Sequence, residues 1–160
     1  MQPNYLKNPC MTRLLAVLTI LFSVPVFGQT DADLIRKTVN NLFDGMKHGD
    51  TALIRASFTS KPILQTVVLN KEGKTLIFTE PVDSFISFTA KPHKEVYDER
   101  ITFESIKIDG PLAMVWAPYK FYLGNKFSHC GVDSFQMVKI DGIWKIQYLV
   151  DTRRKEGCSD

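Results

Sequence analysis

Apolar side chains recur at three- and four-residue spacing through Leu34, Ile35, Val39, Leu42, Phe43 and Met46, which predicts an amphipathic helix that Asp31 or Asp33 caps and Gly49 ends. Asp50 then caps a second short helical turn, Thr51 to Phe58, expected to stop near Ser60-Lys61-Pro62 because proline blocks continuation. Ile63 to Asn70 and Thr75 to Thr79 are rich in β-branched and apolar residues. They flank Lys71-Glu72-Gly73-Lys74, a hairpin signal. Pro81 opens a third helical turn with Val82, Phe85, Ile86 and Phe88 on its apolar face.

From Glu95 the period changes to two, predicting strands over Val96 to Ile108, Leu112 to Leu123, Phe127 to Ile140 and Ile143 to Thr152. Asp109-Gly110-Pro111, Gly124-Asn125 and Asp141-Gly142 supply turn residues that tolerate positive φ, so this half reads as an antiparallel meander. Helices first and strands afterwards argue an α+β fold, with the helices packed on one face of a strongly curved antiparallel sheet. No linker, repeat or low-complexity tract divides residues 29–160, which are expected to form one domain.

Residues 1–28 read differently. Lys7 and Arg13 precede the thirteen-residue apolar run Leu14 to Val26, and Val26-Phe27-Gly28 precedes an expected cut before Gln29. A run that short falls below the roughly 20 residues a membrane span needs, so it predicts an export signal, a periplasmic or secreted chain and no stable membrane anchor afterwards. No cysteine follows the run to accept a lipid. Removing the signal takes away Lys7, Arg13 and Cys10, leaving eighteen basic and seventeen acidic side chains. Such an interspersed, nearly neutral balance argues against a nucleic-acid partner. With hydrophobic residues at 44% and charged residues at 23%, the composition also excludes a disordered or collagen-like chain.

The two remaining cysteines, Cys130 and Cys158, make an even count in an exported chain and are expected to pair. Inert thiols, or a reactive Cys130 beside His129, are the competing readings. The second is weakened because neighbours on a strand point to opposite faces. Without a C-x-x-C pair, and with His48, His93 and His129 in separate elements, no metal site is expected.

The order of elements and the turn Asp141-Gly142-Ile143-Trp144-Lys145-Ile146 resemble the nuclear transport factor 2-like superfamily, the cystatin-like cone. Trp116-Ala117-Pro118-Tyr119, Ser128 to Phe135 and Asp151-Thr152-Arg153-Arg154 are similar to the exported bacterial proteins called putative lumazine-binding. The resemblance implies a cone with an internal pocket and Trp144 packed beneath the first helix. It also implies an open sheet face through which such chains often dimerise. It does not fix a function, since members of the superfamily isomerise, dehydrate or cyclise small molecules or simply bind them.

Candidate chemistry follows from polar residues on apolar stripes. On the strand after Glu95, alternation puts Asp98 and Arg100 on one face, opposite Tyr97, Glu99, Ile101 and Phe103. That polar face is either solvated or enters the cavity as a charge pair. His129 and Asp133 share a face with Phe127, Phe135 and Met137, with Gly131 between them expected to leave open volume. Either could act as a general base, with Tyr119, Tyr122 or Trp116 as hydrogen-bond donors; the plainer reading of His129 is structural. Arg153 or Arg154 could pair Asp151, and Arg153 could close the pocket. Two functions are therefore expected. One is a cofactor-free exported protein that binds a small apolar or aromatic molecule, with Asp98, Arg100, Trp116, Tyr119 and Arg153 as ligand contacts. The alternative is a cofactor-independent isomerase or dehydratase using His129 and Asp133.

Overall fold

The computed structural model describes residues 29–158, so the predicted export signal lies outside the described residues. Helix α1 spans Asp31–His48. Its N-cap is Thr30 rather than Asp31 or Asp33: the Thr30 side chain accepts from the Asp33 amide while Asp33 reaches back to the Thr30 amide, closing a capping box. The helix ends at Gly49, whose φ of 68° is the left-handed cap that glycine favours. Ile35, Val39, Leu42 and Phe43 are buried along one face. Helix α2, Thr51–Ser57, is capped by Asp50, whose side chain accepts from the Leu53 amide.

Strand β1 runs Phe58–Leu69, so the chain is already extended at Ser60-Lys61-Pro62, where a helix end was expected. Pro62 is tolerated because β2, Thr75–Glu80, pairs with β1 only from Leu64 onward, and because the pairing with β7 shifts register between Phe58 and Ile63. Helix α3 is Val82–Thr89, with Pro81 at its N-cap.

The strand predicted over Val96 to Ile108 is two strands, β3 (Tyr97–Ile101) and β4 (Ser105–Asp109), both antiparallel to β5 (Leu112–Leu123). Ile101 lies opposite Tyr119 and Ser105 opposite Trp116, so three residues face two and one is extra. The break falls at Pro118, which has no amide hydrogen to donate. Strands β6 (Lys126–Ile140) and β7 (Ile143–Thr152) complete a seven-stranded sheet in the order β2-β1-β7-β6-β5-β3, with β4 also on β5.

One ladder departs from the antiparallel expectation. β1 runs parallel to β7, with Leu64 opposite Leu149 and Thr66 opposite Asp151. The arrangement is the α+β fold expected, three helices against a curved, unclosed sheet. Its core joins Ile35, Val39 and Leu42 to Val115, Phe135, Met137 and Ile146. Trp144 is 1% exposed; its indole N–H donates to Asp31 Oδ1 at 3.0 Å, and Thr38 Oγ1 donates to its carbonyl.

Candidate functional site

The pleat of β5 and β6 sends alternate residues into the curl of the sheet. Toward the helices these are Val115, Phe135 and Met137, but farther along they become Tyr119, Phe121, His129 and Asp133. There the apolar core gives way to polar groups around a cavity of about 340 Å³, a size typical of small-molecule sites. Its walls are Met46 from α1, Phe85 and Phe88 from α3, Tyr97 from β3 and Phe121 and Leu123 from β5. The rings are contiguous: Phe88 stacks on Tyr97 at 5.8 Å, Tyr97 lies 5.8 Å from Phe121, and Phe121 lies 5.0 Å from the His129 ring. Glu99, His129 and Arg153 supply polar lining, with Glu80 at the end of β2.

A row of residues crosses the sheet beneath this lining: Thr66 on β1 lies opposite Asp151 on β7, which lies opposite Asp133 on β6. Two carboxyls directly across a ladder repel unless something intervenes. Asp151 is satisfied. It accepts from Thr66 Oγ1 at 2.6 Å, from Arg153 Nε at 2.9 Å and from the Tyr119 hydroxyl at 3.2 Å. The Tyr119 hydroxyl also donates to the Thr152 carbonyl at 2.9 Å, and Arg153 Nη2 donates to Thr66 Oγ1. Asp133 is only 2% exposed, and its Oδ2 has no donor among the described residues.

Asp133 meets the Glu99 carboxyl, and two acceptors can be joined only through a proton. Burial pushes Asp133 well above the usual carboxylate range; the charges of Glu99 and Asp151 add to this, and the bond to Glu99 keeps the proton on Asp133. Burial also pushes Glu99 up to about 7, with the Asp151 charge raising it further and the Asp133 bond and Arg153 opposing. Burial, then the Arg153 charge, lowers the His129 pKa, so its imidazole is neutral at pH 7. Burial and the Asp151 charge raise the Tyr119 phenol above its ordinary value.

The expected site residues separate into two groups. Tyr119, His129, Asp133 and Arg153 converge inside the curl. His129 and Asp133 are not partners: the His129 Nδ1 contacts Ser128 Oγ at 3.0 Å, and the Tyr119 ring occupies the space beside Gly131 between them. The open volume expected at Gly131 is therefore filled. Asp98 and Arg100 are paired, Arg100 Nε donating to Asp98 Oδ2 at 2.8 Å, but they do not line this cavity. Lys47 at the end of α1 binds Asp98 at 2.8 Å, and Arg100 lies 4.1 Å over the Tyr122 ring. Alternation from Tyr119 likewise takes Trp116 and Tyr122 out of the cavity, and Trp116 is 40% exposed. Arg153, not Arg154, pairs Asp151.

Cys130 and Cys158 are disulfide-bonded with Cα atoms 5.8 Å apart, and Cys130 also exchanges backbone hydrogen bonds with Arg154. The bond pins the segment after β7 to β6, next to Arg153. Among the described residues no group of three or more His, Cys, Asp or Glu could hold a metal ion.

Glu99, Asp151 and Thr66 were not among the expected contacts. Glu99 had a readable signal, a carboxylate on the stripe of Tyr97, Ile101 and Phe103. Thr66 had none, because its neighbour in the site belongs to a strand 85 positions away.

A family model described as putative lumazine-binding matches residues 30–148, so Asp151, Arg153 and Cys158 lie beyond the matched stretch. No curated protein matches the chain. Among solved structures, an NTF2-like protein of unknown function from Shewanella baltica is similar at a TM-score of 0.61 and 16% identity, covering 81% of this chain and 100% of that one. A second NTF2-like protein of unknown function, from Silicibacter pomeroyi, gives 0.59 and 20% over 79% and 100% of the two chains. A domain of unknown function with a cystatin-like fold from Nostoc punctiforme gives 0.59 and 19% over 79% and 80%. At such identities the likeness is one of fold.

Proposed function

Because this chain belongs to the putative lumazine-binding family of the NTF2-like superfamily, we propose that it is an exported protein that holds a small apolar or aromatic molecule in the cavity between α3 and the curl of the sheet. The carrying observation is the composition of that cavity. Contiguous rings form its walls, while the groups that could do chemistry are bonded to one another. Tyr119, the buried candidate for stabilising an oxyanion, already spends its hydroxyl on Asp151 and Thr152. A donor so committed favours retention of a ligand over turnover. The Cys130–Cys158 bond supports a periplasmic or secreted location, since disulfides persist in oxidising compartments.

The isomerase or dehydratase reading keeps one observation in its favour. Glu99 is poised near 7 at the cavity wall, the range in which a carboxylate exchanges protons efficiently, and in that reading it replaces the His129–Asp133 pair as the base.

Native mass spectrometry of protein purified from its own extracytoplasmic fraction tests the proposal. The expected spectrum shows a chain beginning at Gln29 with a small molecule retained, and it gives the subunit count that a homodimer through the open sheet face would set. A bare mass together with no thermal shift from any aromatic compound in a screening set would overturn it.

A further inference from the structure

We infer that the cavity selects a ligand carrying one positive charge on an apolar or aromatic body, a protonated or alkylated amine, with its ammonium group seated at the Glu99 carboxyl. This rests on the reading of the cavity as a ligand site and names the chemical class that site takes.

Glu99 shares the cavity and the layer beneath it with groups from every surrounding element. From β6 come Asp133 and the neutral His129, from β7 Asp151 and Arg153, from β5 the un-ionised Tyr119, and from the end of β2 Glu80; α1 and α3 present Met46 and Thr89. Arg153 is the one cation in this lining among the described residues, and it is committed to Asp151 at 2.9 Å and Thr66 at 3.2 Å. Asp133 holds its proton and Arg153 balances Asp151, so the negative charge left to the cavity is that of Glu99 and Glu80.

A second observation narrows the acid to Glu99. Asp133 Oδ2 is buried without a donor among the described residues, and Asp133 lies outside the cavity lining. A buried carboxyl oxygen without a donor calls for a proton, and the proton on Asp133 supplies it, which leaves Glu99 as the acid of the pair that a ligand's cation reaches. The third is the wall: Phe88, Tyr97 and Phe121 offer ring faces and edges around the acid, and ring faces attract ammonium groups. A purely apolar ligand would leave the negative excess unanswered. An anion would add to it.

Seating a cation at Glu99 favours its ionised form, so the proton held there leaves to solvent as the ligand enters. Binding therefore releases a proton and tightens as pH rises, by about tenfold between pH 6 and 8 for a single coupled group that titrates midway.

Three probes with one aromatic body test this on the full mature protein by calorimetry: 1-naphthylmethylammonium, 1-naphthylmethanol and 1-naphthoate. The expected result is that the ammonium binds at least about tenfold more tightly than the alcohol at pH 8, loosens toward pH 6, and gives a buffer-dependent heat that reports proton release. Glu99→Gln, checked for cooperative unfolding and an unchanged far-ultraviolet spectrum, should bring ammonium and alcohol to equal affinity. Equal binding of ammonium and alcohol by the unmodified protein would overturn the charge selection while leaving the ligand site standing. Tightest binding of the naphthoate would overturn it in favour of Arg153. Failure of all three to bind would end both readings.

Discussion

Gly131 and Tyr119 occupy one volume: a Cβ on Gly131 would lie 2.7 Å from the Tyr119 ring and 1.7 Å from the Thr152 carbonyl oxygen. The glycine is the space through which the tyrosine reaches the end of β7 to bond Asp151. Gly131→Ala must therefore displace backbone, not merely a side-chain tip, and should cost about 3 kcal/mol or more. Urea unfolding of the variant measures the loss. A cost below about 1 kcal/mol would show that the site has slack that the geometry denies.

The Cys130–Cys158 bond closes a loop with sequence separation 28. Chain entropy assigns such a loop about 3 to 4 kcal/mol, so Cys158→Ser or reduction should lower the unfolding free energy by that order. Denaturant titration with and without reductant reads the difference. Ligand retention should weaken with it, because the bond holds the strap that follows Arg153.

Stability should fall as pH rises through the neutral range. Glu99 and Asp133 have folded pKa values raised above those of the unfolded chain, so the folded state holds their protons more tightly. The contribution of Glu99 is complete below about 4.5 and lost as pH climbs through about 7. Asp98 runs the other way: hydrogen bonding to Lys47 lowers its pKa against the cost of burial, so its contribution disappears below 3.8. His129, whose pKa burial lowers, acts against the acids below 6.5, so the acids are read by difference: from pH 5 to 8 the melting temperature of the unmodified protein should fall relative to that of Glu99→Gln. Parallel profiles of the two proteins would contradict the raised value of Glu99.

Trp116→Ser should leave ligand retention nearly unchanged while lowering stability by about 1 kcal/mol or more, because Trp116 stands on the outer face of β5 yet is only 40% exposed. His129→Ala should act oppositely on function. It removes a ring packed on Phe121 and Tyr119, and its hydrogen bond is to neighbouring Ser128. Stability should drop by about 1 kcal/mol while an aromatic ligand binds more weakly. Parallel thermal and retention assays of the two variants check this contrast.

Local signals carried the fold well. Periodicity marked α1, α3 and β5 to β7, and Asp109-Gly110, Gly124 and Asp141-Gly142 fell in turns, with φ of 54° at Gly110, 59° at Gly124 and 81° at Gly142. What escaped was non-local. The split of the strand into β3 and β4 depends on Pro118 in the neighbouring strand, and the parallel seat of β1 on β7 leaves no mark in either segment.

The site was half legible for the same reason. A polar residue on an apolar stripe identified His129 and Asp133, and the same test applied to Glu99 would have found it. Which anomalies meet depends on how sharply the sheet curls. The pairing of Asp133 with Glu99 rather than with His129 is a property of that curvature, because Tyr119 fills the gap on β6 and β5 lies between the two acids.

The parallel seat of β1 on β7 also sets an order of events. The β1–β2 hairpin is complete early in the chain, yet its place in the sheet is beside the last strand, so Thr66 waits for a partner 85 positions further on. Closing so long a loop before any contact rewards it makes assembly slow relative to a helical chain of equal length. Until Ile143–Thr152 is in place the hairpin has an unfilled edge, with Ile63 46% and Ile77 62% exposed even in the finished molecule. The interval in which this chain is most prone to stick to its own kind therefore ends only when its final strand docks.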